Sequence, residues 1–259
     1  MLTRIGETFK KLKIKEGKAF IPYIMAGYPS LKITKDIVLL FEECGADIVE
    51  LGVPFTDPLA DGPIIQRASE SALQKGITLK KVIAFVRDLR QSTQIPLVLM
   101  TYYNPVFRYG EEMFAKDAKD AGVDGVIIPD LPPDEAGNLI RLSRKVSLDT
   151  IFLLAPTSTP ERIKKVSKAS RGFIYYVSVT GITGSKLLLD GSVELSISEI
   201  RKLTDKPIAV GFGVSTPEEA LSVSKVSDGV IVGSAIVKRL HSSREDLRGY
   251  LVSLREAIL

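Results

Sequence analysis

Eight short apolar runs, separated by segments of helical periodicity, constrain this chain of 259 residues more than any other feature. The runs occupy residues 20–25, 47–51, 96–101, 125–129, 150–154, 172–177, 207–210 and 228–232. Each is apolar on both sides of its alternation. A strand with one wet face would alternate apolar with polar, so these runs fit parallel strands covered on both faces. Between them, Ile33, Ile37, Val38 and Phe41 keep helical spacing, as do Leu79, Val82, Ile83 and Val86, and later Leu247, Tyr250, Leu251 and Leu254. Pro133, Pro160 and Pro217 each follow a loop and are expected in a first helical turn, where the missing N–H costs nothing. Alternation of strand and helix eight times over predicts an α/β fold, a (β/α)8 TIM barrel, as a single domain over residues 1–259. An open doubly wound sheet is the alternative. Two stretches exceed the plain alternation. The residues before Phe20 read as an extra N-terminal helix able to cover the barrel bottom. Residues 62–76 read as an added helix in the second βα connection.

Charge and rare residues narrow the chemistry. The net charge is +4 and the pI about 9.0, so nucleic acid has to be considered as a partner. Yet basic and acidic residues are interspersed. The nearest cluster, Lys10, Lys11, Lys13 and Lys15, is followed at once by Glu16. Such stretches are solvated helix faces rather than a nucleic-acid stripe. Cys44 is the single cysteine, so no internal disulfide can form; it stands at a helix end and reads as buried filler. His241 is the single histidine. A histidine-based triad is therefore not expected, nor a zinc site of Cys and His. Acid–base chemistry, if present, must come from carboxylates, Tyr or Lys. The N-terminal residues carry no uninterrupted apolar stretch, and no window reaches the roughly 20 apolar residues of a membrane-spanning helix. The expectation is a soluble, cytoplasmic protein.

In a barrel of this kind the active site lies at the C-terminal ends of the strands. There the second run carries Glu50 among apolar neighbours. A carboxylate is costly on either face of such a strand. It is either paired against the helices or functional in the barrel mouth, and the mouth is the placement expected here. The loop that follows is long and rich in Pro, Gly and Asp. Its Asp57 and Asp61 suit turns or helix caps as well as chemistry. After the sixth, seventh and eighth runs come Gly181 to Gly184, Gly211 with Gly213, and Gly233-Ser234. Glycines there let backbone N–H groups approach an anion, and a helix starting near Ser234 adds its dipole. Phosphate is the expected anion. The segment from Gly184 to Ser192, with Lys186 and Asp190, is either a mobile lid or a passive loop.

The stretch from Glu50 to Pro63, ELGVPFTDPLADGP, resembles the signature of the tryptophan synthase α subunit. The resemblance continues in residues 22–29, 102–105, 129–132, 180–184, 211–215 and 232–237, in order and over essentially the whole chain. It implies a lyase of tryptophan biosynthesis that cleaves indole-3-glycerol phosphate, by a retro-aldol step, to indole and glyceraldehyde 3-phosphate. It places the catalytic carboxylates at Glu50 and Asp61. Phosphate contacts fall on Gly184, Gly213, Gly233 and Ser234. The indole pocket falls on Tyr23, Met100, Tyr102, Tyr175, Thr183 and Phe212. No metal or organic cofactor is implied on this chain; pyridoxal phosphate belongs to a partner β subunit. That partner is expected in an α2β2 heterotetramer, facing the loops that carry Pro54, Asp57 and Asn104. Tyr23 stands where the family often has Phe, and Met100 where it often has Leu. The segment Lys186 to Asp190 departs further. A sugar-phosphate isomerase on the same barrel, or a non-catalytic regulatory subunit, are the other readings; retention of both Glu50 and Asp61 argues against the last.

Overall fold

The computed structural model describes residues 3–177, 191–211, 213–240 and 243–259. Helix α1 (Arg4–Ile14) precedes β1 (Ala19–Met25) and α2 (Leu31–Glu43). Strand β2 (Val49–Gly52) is followed by α3 (Pro63–Gln74) and α4 (Leu79–Leu89), and β3 (Leu97–Met100) by α5 (Tyr103–Tyr109) and α6 (Glu111–Ala121). Then come β4 (Gly125–Ile127), α7 (Gly137–Lys145), β5 (Asp149–Ile151), β6 (Leu153–Leu154) and α8 (Pro160–Ala169). The chain continues through β7 (Ile174–Val177), α9 (Ser192–Arg201), β8 (Ile208–Gly211), α10 (Pro217–Ser224), β9 (Gly229–Val232), α11 (Ser234–Arg239) and α12 (Arg244–Ala257).

All strand pairs are parallel, in the order β5-β4-β3-β2-β1-β9-β8-β7-β6. The two ends of that order are consecutive in the chain, with Phe152 alone between them. The expected fifth run is thus one stave in two halves. Its first half pairs with β4 and its second with β7, which closes the barrel. The doubly wound alternative falls with that closure. Both added helices are present: α1 ahead of β1, and α3 inside the second connection. Helix α5 adds a further piece to the third connection, which the sequence did not announce. Pro160 and Pro217 open α8 and α10 as expected. Pro133 does not open α7. The Pro132 carbonyl accepts from Glu135 and Ala136 in a turn, and the helix begins at Gly137.

Two apolar layers follow from the strand alternation. Ile21, Ile48, Val98, Ile127, Ile151, Phe173, Ala209 and Ile231 fill the barrel, and Ile5, Phe9 and Leu12 of α1 close it from below. The Phe9 and Phe173 rings meet at 5.7 Å. Each of those three α1 side chains contributes roughly 1.5–3 kcal/mol of burial. The opposite strand faces, with Ile24, Leu51, Leu99, Val126 and Val210, pack under the helices. Four aspartates clamp the bottom. Asp47 accepts from the Phe20 N–H at 2.9 Å, Asp124 from Leu97 at 3.0 Å, and Asp228 from Ile208 at 2.8 Å. Each also holds an arginine: Arg255 on Asp47, Arg90 and Arg4 on Asp124, Arg201 on Asp228. Asp149 takes the Thr3 hydroxyl, which also caps α1, and pairs with Arg171. Cys44 is the buried C-cap of α2, as its place in the sequence suggested.

Candidate active site

Towards the C-terminal ends of the staves the inner face turns polar. Ile48 belongs to the barrel filling, so Glu50, two residues on, shares its side. The register sets Tyr23 beside Glu50 on one flank and Val98 on the other. Glu50 therefore points into the mouth and not at the helices. It is 1% exposed, and neither carboxylate oxygen has a hydrogen-bond partner among the described residues. Burial alone pushes its pKa up to about 8.

Asp61 takes a different role from the helix cap its place in the sequence allowed. Gly62 is the N-cap of α3 and Pro63 its first residue, with no side-chain capping bond. The Asp61 carboxylate instead faces the same cavity as Glu50. It is 6% exposed, and its Oδ2 accepts from the Tyr102 hydroxyl at 3.1 Å. Burial raises its pKa to about 6, against the pull of the Tyr102 bond. Two buried carboxylates thus stand on opposite sides of neutrality: Glu50 mostly protonated, Asp61 mostly ionised.

Tyr23, Met100 and Tyr175 line the cavity with them, together with Gly213, Gly233 and Ser234. Burial, then the two carboxylates, hold both tyrosine hydroxyls un-ionised. A Cβ on Gly52 would lie 2.0 Å from the Tyr23 hydroxyl, and one on Gly211 2.3 Å from that of Tyr175. Glycine at these strand ends gives the tyrosines their room. Gly213 adopts φ +84°, open to glycine and strained for other residues. Gly233 caps α11, and its carbonyl accepts from Ile236 and Val237. The Ser234 and Ala235 N–H groups have no acceptor earlier in the helix.

The structure thus brings eight of the expected site residues to one cavity. Tyr102 is adjacent rather than lining: its hydroxyl binds Asp61 and receives the Ala60 N–H at 3.1 Å. Gly184, Thr183 and Phe212 lie outside the described residues, as do Lys186, Asp190 and His241. Ile65, Val214 and Ile231 join the lining without having been singled out. Ile231 follows the parity of the eighth run; Ile65 needs the path of α3. Of the loop positions, Asp57 and Asn104 are exposed, whereas Pro54 is buried. No cluster of three His, Cys, Asp or Glu among the described residues could hold a metal. No helix among them is long and apolar enough to cross a membrane.

A family model described as tryptophan synthase alpha chain matches residues 9–257. The chain belongs to that family. A relative from Geobacter sulfurreducens, named tryptophan synthase alpha chain, is 49% identical over 99% of both chains. One of the same name from Dehalococcoides mccartyi is 46% identical over 99% of this chain and all 100% of its own. Solved structures agree. Mycobacterium tuberculosis tryptophan synthase superposes with a TM-score of 0.93 at 38% identity, covering 100% of this chain and 99% of that one. Tryptophan synthase subunit alpha from Legionella pneumophila gives 0.91 at 37% identity, with 100% and 99% covered. The matched family region contains both carboxylates and the other residues that line the cavity.

Proposed function

We propose that Glu50 and Asp61 carry out the retro-aldol cleavage of indole-3-glycerol phosphate, the lyase step that releases indole for tryptophan biosynthesis. The observation that supports it is the split between two carboxylates in one buried cavity. Protonated Glu50 gives its proton to indole C3, which leaves Glu50 ionised and the ring an indolenine cation. Ionised Asp61 accepts the indole N–H and stabilises the positive charge there. The Glu50 carboxylate then takes the proton of the C3′ hydroxyl. The C3–C3′ bond breaks, its electron pair returns to the ring, and the aldehyde of glyceraldehyde 3-phosphate forms. Glu50 ends as it began, so its raised pKa serves both directions of transfer. Tyr23, Met100 and Tyr175 wall the indole. Backbone N–H groups at Gly213, Gly233 and Ser234 take the phosphate, whose binding energy fixes the distant reacting end. The family resemblance assigns Gly184 to the same phosphate site, and Thr183 and Phe212 to the indole wall. Each step uses only these side chains, with no cofactor on this chain.

A β subunit is the proposed consumer of the indole, in an α2β2 assembly. Around the exposed Asp57 and Asn104 stand Leu59, 84% exposed, and Phe107, 65% exposed. Apolar side chains left in water on these two connections suit a protein partner. Pro54, being buried, shapes this loop from beneath. One assay tests the whole reading: indole release from indole-3-glycerol phosphate, with and without a β chain. Glu50→Gln and Asp61→Asn should each lower turnover at least about 100-fold while substrate still binds. Near-normal release by Glu50→Gln would remove Glu50 from the mechanism. A turnover unmoved by an added β chain would count against the docking surface.

A further inference from the structure

We propose that Tyr102 is a positioning residue for Asp61, holding one carboxylate oxygen so that the other is aimed at the substrate's N–H. The inference rests on the role of Asp61 proposed above. Asp61 sits on a loop of the second βα connection, where Gln66 of α3 donates to its backbone carbonyl at 2.8 Å and leaves its carboxylate to other partners. Tyr102 follows the last residue of β3, a neighbouring stave, by two positions and is the N-cap residue of α5. Its hydroxyl makes two bonds across that gap. It donates to Asp61 Oδ2 at 3.1 Å and accepts from the Ala60 N–H at 3.1 Å. One oxygen atom therefore fixes both the side chain of Asp61 and the backbone of the residue before it.

The ring is held as well. It stacks on Phe55 with centroids 5.2 Å apart and planes at 30°. Phe55 is anchored in turn by Ser69 of α3, whose hydroxyl joins the Phe55 N–H and carbonyl, each at 3.0 Å. The chain of contacts runs from α3 through Phe55 and Tyr102 back to Asp61. It brackets the catalytic loop from both of its ends. With Oδ2 occupied, Oδ1 is the oxygen left for the indole nitrogen. A carboxylate that must hold a charge developing in the transition state works best when already oriented. Tyr102 supplies that orientation without touching the substrate.

Tyr102→Phe removes the hydroxyl and keeps the stack. The expected result is a kcat about tenfold or more lower with KM changed less than about threefold, since a bond to a charged group is lost while the pocket walls stay. The tyrosine bond lowers the Asp61 pKa. Its loss should therefore move the acidic limb of the kcat–pH profile to higher pH. Adding Tyr102→Phe to Asp61→Asn should cost little more, because both act through one carboxylate. Thermal unfolding of each variant checks that the fold is kept. A wild-type kcat in Tyr102→Phe overturns the proposal. So does a lowered kcat with an unmoved acidic limb, which would make Tyr102 a wall of the pocket and no more. Normal turnover in Asp61→Asn sinks the reading of Asp61 itself, a distinct failure from that of Tyr102.

Discussion

Glu50→Gln should stabilise the protein, and by an amount that grows with pH. The unfolded glutamate ionises near 4.5, whereas burial moves the folded group to about 8. Between those values the folded state holds a proton that the unfolded state has released. Stability accordingly falls as pH rises through that window. Glutamine fills nearly the same volume and never ionises, so it escapes this penalty. The cost to the wild type, relative to the variant, is about 1 kcal/mol at pH 5, about 3 at pH 7 and about 4 at pH 8. Any fixed cost of burying an amide in place of a carboxylic acid is the same at every pH and drops out of the trend. Asp61 titrates in both proteins, and its contribution cancels. The assay is urea unfolding of both proteins at intervals from pH 5 to 8, with m-values checked for equality. The gap between the two stabilities should widen by about 3 kcal/mol across that range. Two parallel stability curves would refute the reasoning. They would mean that Glu50 ionises in the folded state as readily as it does in water.

Two further outcomes can be checked in the same way. Gly52→Ala should destabilise the protein by about 1–3 kcal/mol, since its Cβ meets the Tyr23 hydroxyl; Gly52→Ala with Tyr23→Phe should recover part of this in chemical denaturation. Asp124→Ala should cost about 3–5 kcal/mol, because it leaves Arg90 buried without its carboxylate and the Leu97 N–H without its acceptor; a loss under about 1 kcal/mol would show that the clamp carries little.

The barrel was legible because parallel strands covered on both faces leave uninterrupted apolar runs, and all eight runs became staves. The same property hid the direction of Glu50. With both faces apolar, only the pairing of Ile48 and Glu50 into one inner column decides it. Asp61 was ambiguous for a local reason: Asp before Gly-Pro is good capping chemistry, and it took the path of the chain to show Gly62 in that place. Helix α5 left no apolar period to read, being seven residues around Asn104 and Pro105. The bridge from Tyr102 to Asp61 joins positions 41 residues apart, and no spacing rule points to it. The sequence pointed to Gly213, Gly233 and Ser234 by residue type only; their shared cavity comes from neighbouring staves.

The four aspartate clamps lie at the end of the barrel opposite Glu50 and Asp61. The fastening of the staves is thus spatially independent of the mouth where Glu50 and Asp61 stand. Loops at the mouth can be lengthened, exchanged or redesigned while Asp47, Asp124, Asp149 and Asp228 keep the frame closed from below. For an engineer, that makes this chain a chassis: new substrates are sought by rebuilding the mouth, and the clamped end is left alone.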